Sequence, residues 1–233
     1  MSSEKPKLPD STDVVIVGAG IAGISAAWFL NRAGLQVVVC EKGVVAGEQS
    51  GRNWGWIRQQ GRDQAELPIV IESMRLWQDI ADELDTDIGY QRDGSLYLCE
   101  NDAELERHQR FMSFAPAYGL ATRYVNRKQL ETLMPDCPAR WQSGLYTPDD
   151  GRAEPSLAVP VMAKALVERG AHVVENCAVE EILIGNQKIT GVLTEHGEMK
   201  TSTVLCAGGA WSTFLLQGCG IRLPQLTVKA SVA

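Results

Sequence analysis

Residues 13–23, Asp-Val-Val-Ile-Val-Gly-Ala-Gly-Ile-Ala-Gly, then an apolar helical pattern, then Val-Val-Val-Cys-Glu at 37–41, leave few folds open to this chain. The run from 13 to 17 is short and apolar, which reads as a buried parallel strand. Gly18 permits a tight turn, Gly20 lets the backbone approach a pyrophosphate, and Gly23 lets the following helix lie close against the strand. That helix, expected over 21–32, offers unpaired N-terminal amides and the positive end of its dipole to phosphates, and Gly34 caps it. Glu41 closes the second strand roughly 20 residues further on, where a carboxylate accepts hydrogen bonds from ribose hydroxyls. A carboxylate there repels a 2′-phosphate, which disfavours NADP. By itself the glycine pattern is more often a plain strand-to-helix turn, and Glu41 by itself a surface acid. Strand, helix, cap and acid together specify a βαβ unit for an ADP-containing dinucleotide. Ala19, Ile21 and Ala22 between the glycines, and Lys42 beside the acid, complete the cofactor-binding set expected from this unit.

Composition narrows the remaining choices. A net charge of −7 without any basic run argues against a nucleic-acid partner. The first ten residues are polar and proline-broken and lack the apolar core of a signal peptide, so a cytoplasmic location is expected. The six cysteines, at 40, 99, 137, 177, 206 and 219, include no CxxC pair and read as reduced thiols, with Cys40 and Cys206 at the ends of apolar strands. The three histidines, at 108, 172 and 196, have neither metal-ligand spacing nor a neighbouring nucleophile, so no metal site is expected.

Residues 43–56 are too glycine-rich for a regular element. A long amphipathic helix is expected over 64–84, followed by a hairpin over 88–99 that turns at Asp93-Gly94. Asn101 caps a polar helix running to about 118, and Asn126 caps a shorter one ending before Pro135. A strand over 141–146 leads into the turn-forming run at 147–152, and a helix over 156–169 stops at Gly170. Strand patterns at 172–174, 177–184, 188–195, 198–200 and 203–206 follow. This order suggests two interleaved α/β domains.

Four stretches together resemble the FAD-dependent amine and amino-acid oxidoreductases of the D-amino-acid oxidase superfamily, which includes glycine oxidase, sarcosine oxidase and D-amino-acid dehydrogenase. They are the fingerprint with Glu41, Ser-Gly-Arg-Asn-Trp-Gly at 50–55, Thr-Pro-Asp-Asp-Gly-Arg-Ala-Glu-Pro at 147–155, and Val-Leu-Cys-Ala-Gly-Gly-Ala-Trp-Ser at 204–212. The first is shared with many flavoproteins; the other three in this order are more specific. The resemblance implies an FAD-binding Rossmann-like parallel sheet with a β-meander, interleaved with an antiparallel α+β substrate domain. It also implies that 50–55 runs beneath the pyrophosphate and ribityl chain. There Ser50 and Asn53 have polar groups for contacts, Arg52 offsets phosphate charge, and Gly55 allows close approach. The alternative is a glycine-rich surface loop with solvated arginines. Trp54 and Trp56 either flank the flavin or pack on it. Val179 is placed beside the adenine, or is a plain core residue, and Ala207 and Gly208 pass close to FAD. Trp56 and Arg58 are candidate substrate contacts. Arg152 and Glu154 face substrate or solvent, and no catalytic residue is assigned.

The resemblance places the first part of the FAD-binding domain at 1–86, the first part of the substrate domain at 87–150, and the second part of the FAD-binding domain at 151–221. Residues 222–233 are then the start of a substrate-domain strand. The chain ends partway along that strand, so it reads as the N-terminal portion of such an enzyme: a truncated product, a fragment or a split subunit. The implied activity is oxidation of a small amine or amino acid by hydride transfer to flavin, with electrons passing on to oxygen or a carrier. A second subunit supplying the missing C-terminal half is one expected partner. A non-catalytic nucleotide-binding remnant is the alternative from another class, and an NAD-dependent dehydrogenase fits less well.

Overall fold

The computed structural model describes residues 8–229, and the chain divides into two units at the junctions 54/55 and 154/155. The first unit starts with β1 (Val14–Val17), α1 (Ile21–Arg32) and β2 (Val37–Cys40). β1 and β2 are parallel, with Val15 opposite Val38 and Val17 opposite Cys40. Both strands alternate between two buried faces. Ile16 points toward α1, where a Cβ on Gly23 would sit 3.3 Å from its methyl group. Val15, Val38 and Cys40 point the other way.

Residues 55–154 form the second unit. It contains β3 (Trp56–Ile57), α2 (Leu67–Glu83), β4 (Ser95–Cys99), α3 (Asp102–Met112), β5 (Arg123–Asn126), α4 (Arg127–Leu133), β6 (Ser143–Thr147) and β7 (Gly151–Arg152). The main sheet is antiparallel in the order β4-β6-β5, and β3 pairs with β7. The Asn101 and Asn126 side chains cap α3 and α4 as expected, the second within a reciprocal capping box with Gln129. Asp150 is fully buried beneath the sheet. Its carboxylate accepts from Gln59 N–H at 2.7 Å, Gln60 N–H at 3.2 Å and the Ser95 hydroxyl at 2.5 Å. A buried carboxylate with three donors is well satisfied, and it ties the loop after β3 to the sheet.

The chain then returns to the first unit through α5 (Pro155–Glu168), β8 (His172–Val174), β9 (Val179–Gly185), β10 (Lys188–Thr194), β11 (Gly197–Lys200), β12 (Val204–Cys206) and α6 (Ser212–Gly218). β8 and β12 complete a parallel sheet in the order β12-β1-β2-β8, while β9, β10 and β11 form a three-stranded antiparallel meander. The meander contributes Val192 and Met199 to a core with Val15, Val38, Cys40, Val174 and Cys177. On the opposite face α1 and α5 pack together, with Ile24, Trp28, Met162 and Leu166 fully buried. Fully burying one such side chain contributes about 1.5–3 kcal/mol relative to exposure. No helix among the described residues is long and apolar enough to cross a membrane.

Three expectations are corrected. The helix expected with the dinucleotide-binding domain belongs to the second unit, so the first junction falls at 54/55 instead of 86/87, and the return falls at 154/155 instead of 150/151. The cause is packing: Leu67 at the start of α2 is fully buried against Phe111, Ala115, Leu120 and Leu145. The expected hairpin over 88–99 does not form. β4 pairs with β6, while Gln91 exchanges backbone hydrogen bonds with Arg152 at 2.8 and 2.9 Å, and Gly94 N–H donates to Asp150 O at 2.8 Å. Arg92 is held by the Asp149 carboxylate at 2.7 Å, which also draws this segment toward 149–152. Finally, residues 222–229 form no strand; residues 230–233 of that expected strand lie outside the described residues.

The β1–α1 junction makes a sharp prediction. A Cβ on Gly23 would lie 1.9 Å from the Gly18 carbonyl oxygen, whereas one on Gly34 meets nothing within 4 Å despite a φ of +86°. Gly23→Ala is expected to cost about 3 kcal/mol or more, because backbone must move. Gly34→Ala should cost about 1–2 kcal/mol from its left-handed backbone alone. Urea midpoints of the two variants check this; equal losses would refute the close-packing account.

Candidate functional site

The carboxyl ends of β1, β2 and β12 converge. Gly18 N–H donates to Cys40 O at 2.8 Å and Ala207 N–H to Val17 O at 2.9 Å. Gly18 adopts φ +103°, and a Cβ there would stand 2.6 Å from Ala207 O, so no larger residue fits this crossing. A crevice outside the carboxyl ends of parallel strands is where open α/β sheets bind ligands.

Glu41, just past β2, is 8% exposed. Its Oε2 accepts from Ala19 N–H at 2.8 Å and its Oε1 from Gly43 N–H at 2.9 Å. Each oxygen keeps a second lone pair for a hydroxyl donor. At the amino terminus of α1, Ile21 N–H donates to the Ser50 Oγ at 2.9 Å. The loop carrying Ser50 closes over this helix end, and Ala46 N–H donates to Ala19 O at 3.1 Å.

These groups border a cleft of about 590 Å3 in the first unit. Of the residues expected to bind cofactor, Gly18, Gly20, Ile21, Ala22, Glu41, Lys42, Ser50, Arg52, Val179, Ala207 and Gly208 line it. Ala19 and Gly23 act behind the surface, one by fixing Glu41 and the other by seating α1. Asn53 is engaged within its own loop: its Nδ2 donates to Gln49 O at 3.1 Å and Ser50 O at 2.9 Å. Gly55, Trp56 and Arg58 belong to the second unit and are not among the lining residues.

The positive charges at the cleft are internally balanced. Lys42 Nζ lies 2.7 Å from Glu48 Oε1 and 4.0 Å from the centre of the Trp211 ring. Arg52 donates to Gly47 O at 2.7 Å and lies 3.5 Å from Glu48. The Lys42 hydrogen bond, aided by the Arg52 charge, holds the Glu48 carboxyl below its ordinary value. In the second unit, the Arg58 guanidinium lies 5.2 Å from the Trp56 ring centre and 5.6 Å from that of Tyr97. Burial pushes the Tyr97 hydroxyl up, against the opposing Arg58 charge.

Sequence reasoning missed one wall of the cleft, made by Trp211, Phe214 and Leu215 with Thr227 and Val228. The spacing from Trp211 to Phe214 and Leu215 is helical and was the available signal. Thr227 and Val228 fall in the stretch expected from the sequence to begin a substrate-domain strand. The loop residues Ala46, Gly47, Glu48 and Gln49 also line the cleft, through a segment with no periodicity to read.

Helix-end amides, a buried carboxylate and apolar walls at the carboxyl edge of a parallel sheet define a fold of the dinucleotide-binding class. The family model for FAD-dependent oxidoreductases of the DAO family matches residues 13–233, and the chain belongs to that family. Mitochondrial sarcosine dehydrogenase of Homo sapiens is 27% identical over 95% of this chain and 25% of its own length. Sarcosine oxidase subunit beta of an Arthrobacter species is 29% identical over 94% of this chain and 56% of its own length. Among solved structures, the L-amino acid deaminase of Proteus myxofaciens in complex with anthranilate superimposes with a TM-score of 0.90 at 30% identity. That match covers 96% of this chain and 51% of the deaminase. The chain thus spans from a quarter to a little over half of these relatives.

The Glu41 geometry predicts a stability effect without any ligand. Glu41→Ala strips the acceptors from Ala19 and Gly43 N–H and should destabilise the chain by about 2 kcal/mol, within the 1–3 kcal/mol cost of an unmade buried hydrogen bond. Chemical denaturation of the ligand-free protein checks this, and an unchanged midpoint would show that these two amides find other partners.

Proposed function

We propose that this chain is the FAD-binding portion, with part of the substrate-binding portion, of an enzyme that oxidises a small amine or amino acid. The observation that carries the reading is the buried Glu41 carboxylate, fixed by Ala19 N–H at the mouth of a cleft that also receives the amino terminus of α1. The volume of about 590 Å3 falls within the roughly 300–1,000 Å3 range of cofactor sites. FAD, when bound, supplies the two-electron acceptor for the oxidation. The chain's own part is to hold and orient. Gly18 and Gly20 admit the pyrophosphate to the end of α1, Glu41 accepts from ribose hydroxyls, and Val179 borders the adenine. Ala207 and Gly208 keep the opposite side narrow and free of bulk. Lys42 and Arg52 add positive charge at the rim, moderated by Glu48.

In the second unit, Arg58 is the group suited to a substrate carboxylate, with Trp56, 53% exposed, as an apolar neighbour. We also propose that turnover requires polypeptide beyond these residues, either the remainder of a longer chain or a second subunit. Two features support this: β12 is an edge strand among the described residues, and Leu226, which does not line the cleft, is 88% exposed. Such an edge ordinarily finds a partner. Electrons then leave to oxygen or to a carrier.

A visible spectrum of the purified protein and a titration with FAD test the cofactor assignment. Wild-type protein should take up FAD, and Glu41→Ala should weaken uptake by about 1.5–3 kcal/mol, the range for hydrogen bonds to a charged group. A wild-type chain that retains no flavin absorbance after gel filtration from millimolar FAD would remove the reading. For the substrate, Arg58→Ala in the turnover-competent assembly should raise KM for an amino acid roughly 10- to 100-fold, the equivalent of one charge-assisted contact, while sparing an amine without a carboxylate. Equal effects on both substrates would exclude Arg58 as the carboxylate anchor.

A further inference from the structure

Among the described residues, the cations that line the cleft are Lys42 and Arg52, and the carboxylates are Glu41, Glu48 and Glu180. Formally the lining is therefore negative, although the cleft is read as the seat of an anion. What meets the anion is backbone: the helix-end amides and the positive dipole end of α1. Both cations are engaged by one carboxylate. Glu48 Oε1 lies 2.7 Å from Lys42 Nζ, and its Oε2 lies 3.5 Å from Arg52 Nη1. Each cation has a further partner: Lys42 Nζ sits 4.0 Å from the centre of the Trp211 ring, and Arg52 Nη2 donates to Gly47 O at 2.7 Å. The Lys42 hydrogen bond also holds the Glu48 carboxyl below its ordinary value, so it stays charged at neutral pH.

Glu48 is carried at the helix end by its own loop. Two residues on, the Ser50 Oγ accepts from Ile21 N–H at 2.9 Å at the start of α1. Ala46 N–H donates to Ala19 O and Gly51 N–H to Glu48 O, each at 3.1 Å, which pins the loop on both sides of the carboxylate. The side chains of Lys42, Glu48 and Arg52 are 40%, 43% and 67% exposed. Ion pairs so exposed add little to stability. Their consequence lies in the charge that the cleft presents to an arriving ligand.

We propose that Glu48 is a specificity-determining residue: it holds Lys42 and Arg52 back from phosphate, and so selects a dinucleotide over ADP and ATP. All three ligands share the adenosine end and with it the contacts read for Glu41 and Val179. They differ in charge. A terminal phosphomonoester carries about −1.5 to −2 at pH 7, whereas each doubly esterified phosphate of a dinucleotide keeps a single charge. A formally negative lining opposes every added charge, and the apolar walls of the cleft concentrate that field. Without Glu48, the same two cations would stand free at a helix amino terminus, the arrangement that suits a polyphosphate. The discrimination thus comes from a repulsive element aimed at the wrong ligand.

Selection by Glu48 rests on the FAD reading of the cleft, and one experiment separates the two. FAD, adenosine, ADP and ATP are titrated calorimetrically into the full chain, as wild type, Glu48→Gln, Glu48→Asp and Lys42→Met. Glu48→Gln should tighten ATP roughly tenfold and ADP roughly threefold, with a smaller gain for FAD and none for adenosine, because the gain follows ligand charge. Lys42→Met leaves Glu48 without its nearer cation and should weaken ATP roughly threefold while sparing adenosine. Glu48→Asp keeps the charge and should retain the wild-type preference. Gains in Glu48→Gln that are equal for all four ligands, adenosine included, would mean a loosened loop and would overturn the proposal. FAD uptake by the wild type with the ranking unchanged in Glu48→Gln and Lys42→Met overturns it too, and leaves the FAD reading standing. A wild-type chain that takes up no FAD, or prefers ATP to it, removes both.

Discussion

The hydrogen bond from Ala19 N–H to the Glu41 carboxylate joins the turn after β1 to the end of β2, and the cleft takes its form from that junction. Because Glu41 also accepts from Gly43 N–H, one side chain fixes the start of the glycine turn and the start of the next loop together. Burial strengthens both bonds, since the local dielectric is low. It also holds the carboxylate at a set height above the strand ends without a rotamer search when a ligand arrives. Gly18 and Gly23 serve the same junction from the backbone side by removing every atom that would keep α1 away from β1. The helix dipole then points into the space that Glu41 borders, so the helix end and the carboxylate are positioned by one local motif.

The second unit is organised by a different principle. Its centre is polar: Asp150 gathers Gln59, Gln60 and Ser95, and Gln60 in turn takes the Thr147 hydroxyl at 2.9 Å and donates to Leu145 O at 3.0 Å. This network fixes the path of residues 58–62 relative to the sheet, and Arg58 with its aromatic neighbours is carried on that path. A fully satisfied buried network specifies one arrangement more sharply than apolar packing does, because each misplaced donor leaves a costly unpaired group.

The βαβ motif was legible in the sequence because it is local. Strand, turn, helix and acid lie within 30 residues, and each glycine has a steric reason to be where it is. The meander was legible for the same reason: its strands alternate and its turns are short. What the sequence concealed was partner choice. Residues 95–99 alternate well and follow Asp-Gly, so a hairpin was the natural expectation, yet their backbone pairs with 143–147 and leaves 91 to Arg152. The apolar face of α2 says that it packs but not on which core. Among the site residues, those near the glycines fell on the cleft, whereas Asn53 turned back on its own loop because a side-chain amide satisfies nearby carbonyls at little entropic cost. The Trp211 and Phe214 wall was hidden because an apolar helix face reads as core whether it covers protein or ligand.

The strand order β12-β1-β2-β8 also has a temporal consequence. Val15 pairs with Val204, so the parallel sheet joins segments almost the whole chain apart, with the second unit lying between them in sequence. Closing so long a loop is entropically unfavourable and yields little until the pairing is complete. The second unit is continuous in sequence, and its two ends are already tied by Ala153 N–H to Gly55 O at 2.9 Å. Once that unit is folded, the effective separation between β1 and β12 shrinks to the span of one paired exit. During synthesis, β1, α1 and β2 emerge first yet must wait for the last strands to be made. The apolar strands of the fingerprint therefore stay unpaired on their β12 side until residues 204–206 exist, and the paired ends of the inserted unit shorten the search that follows.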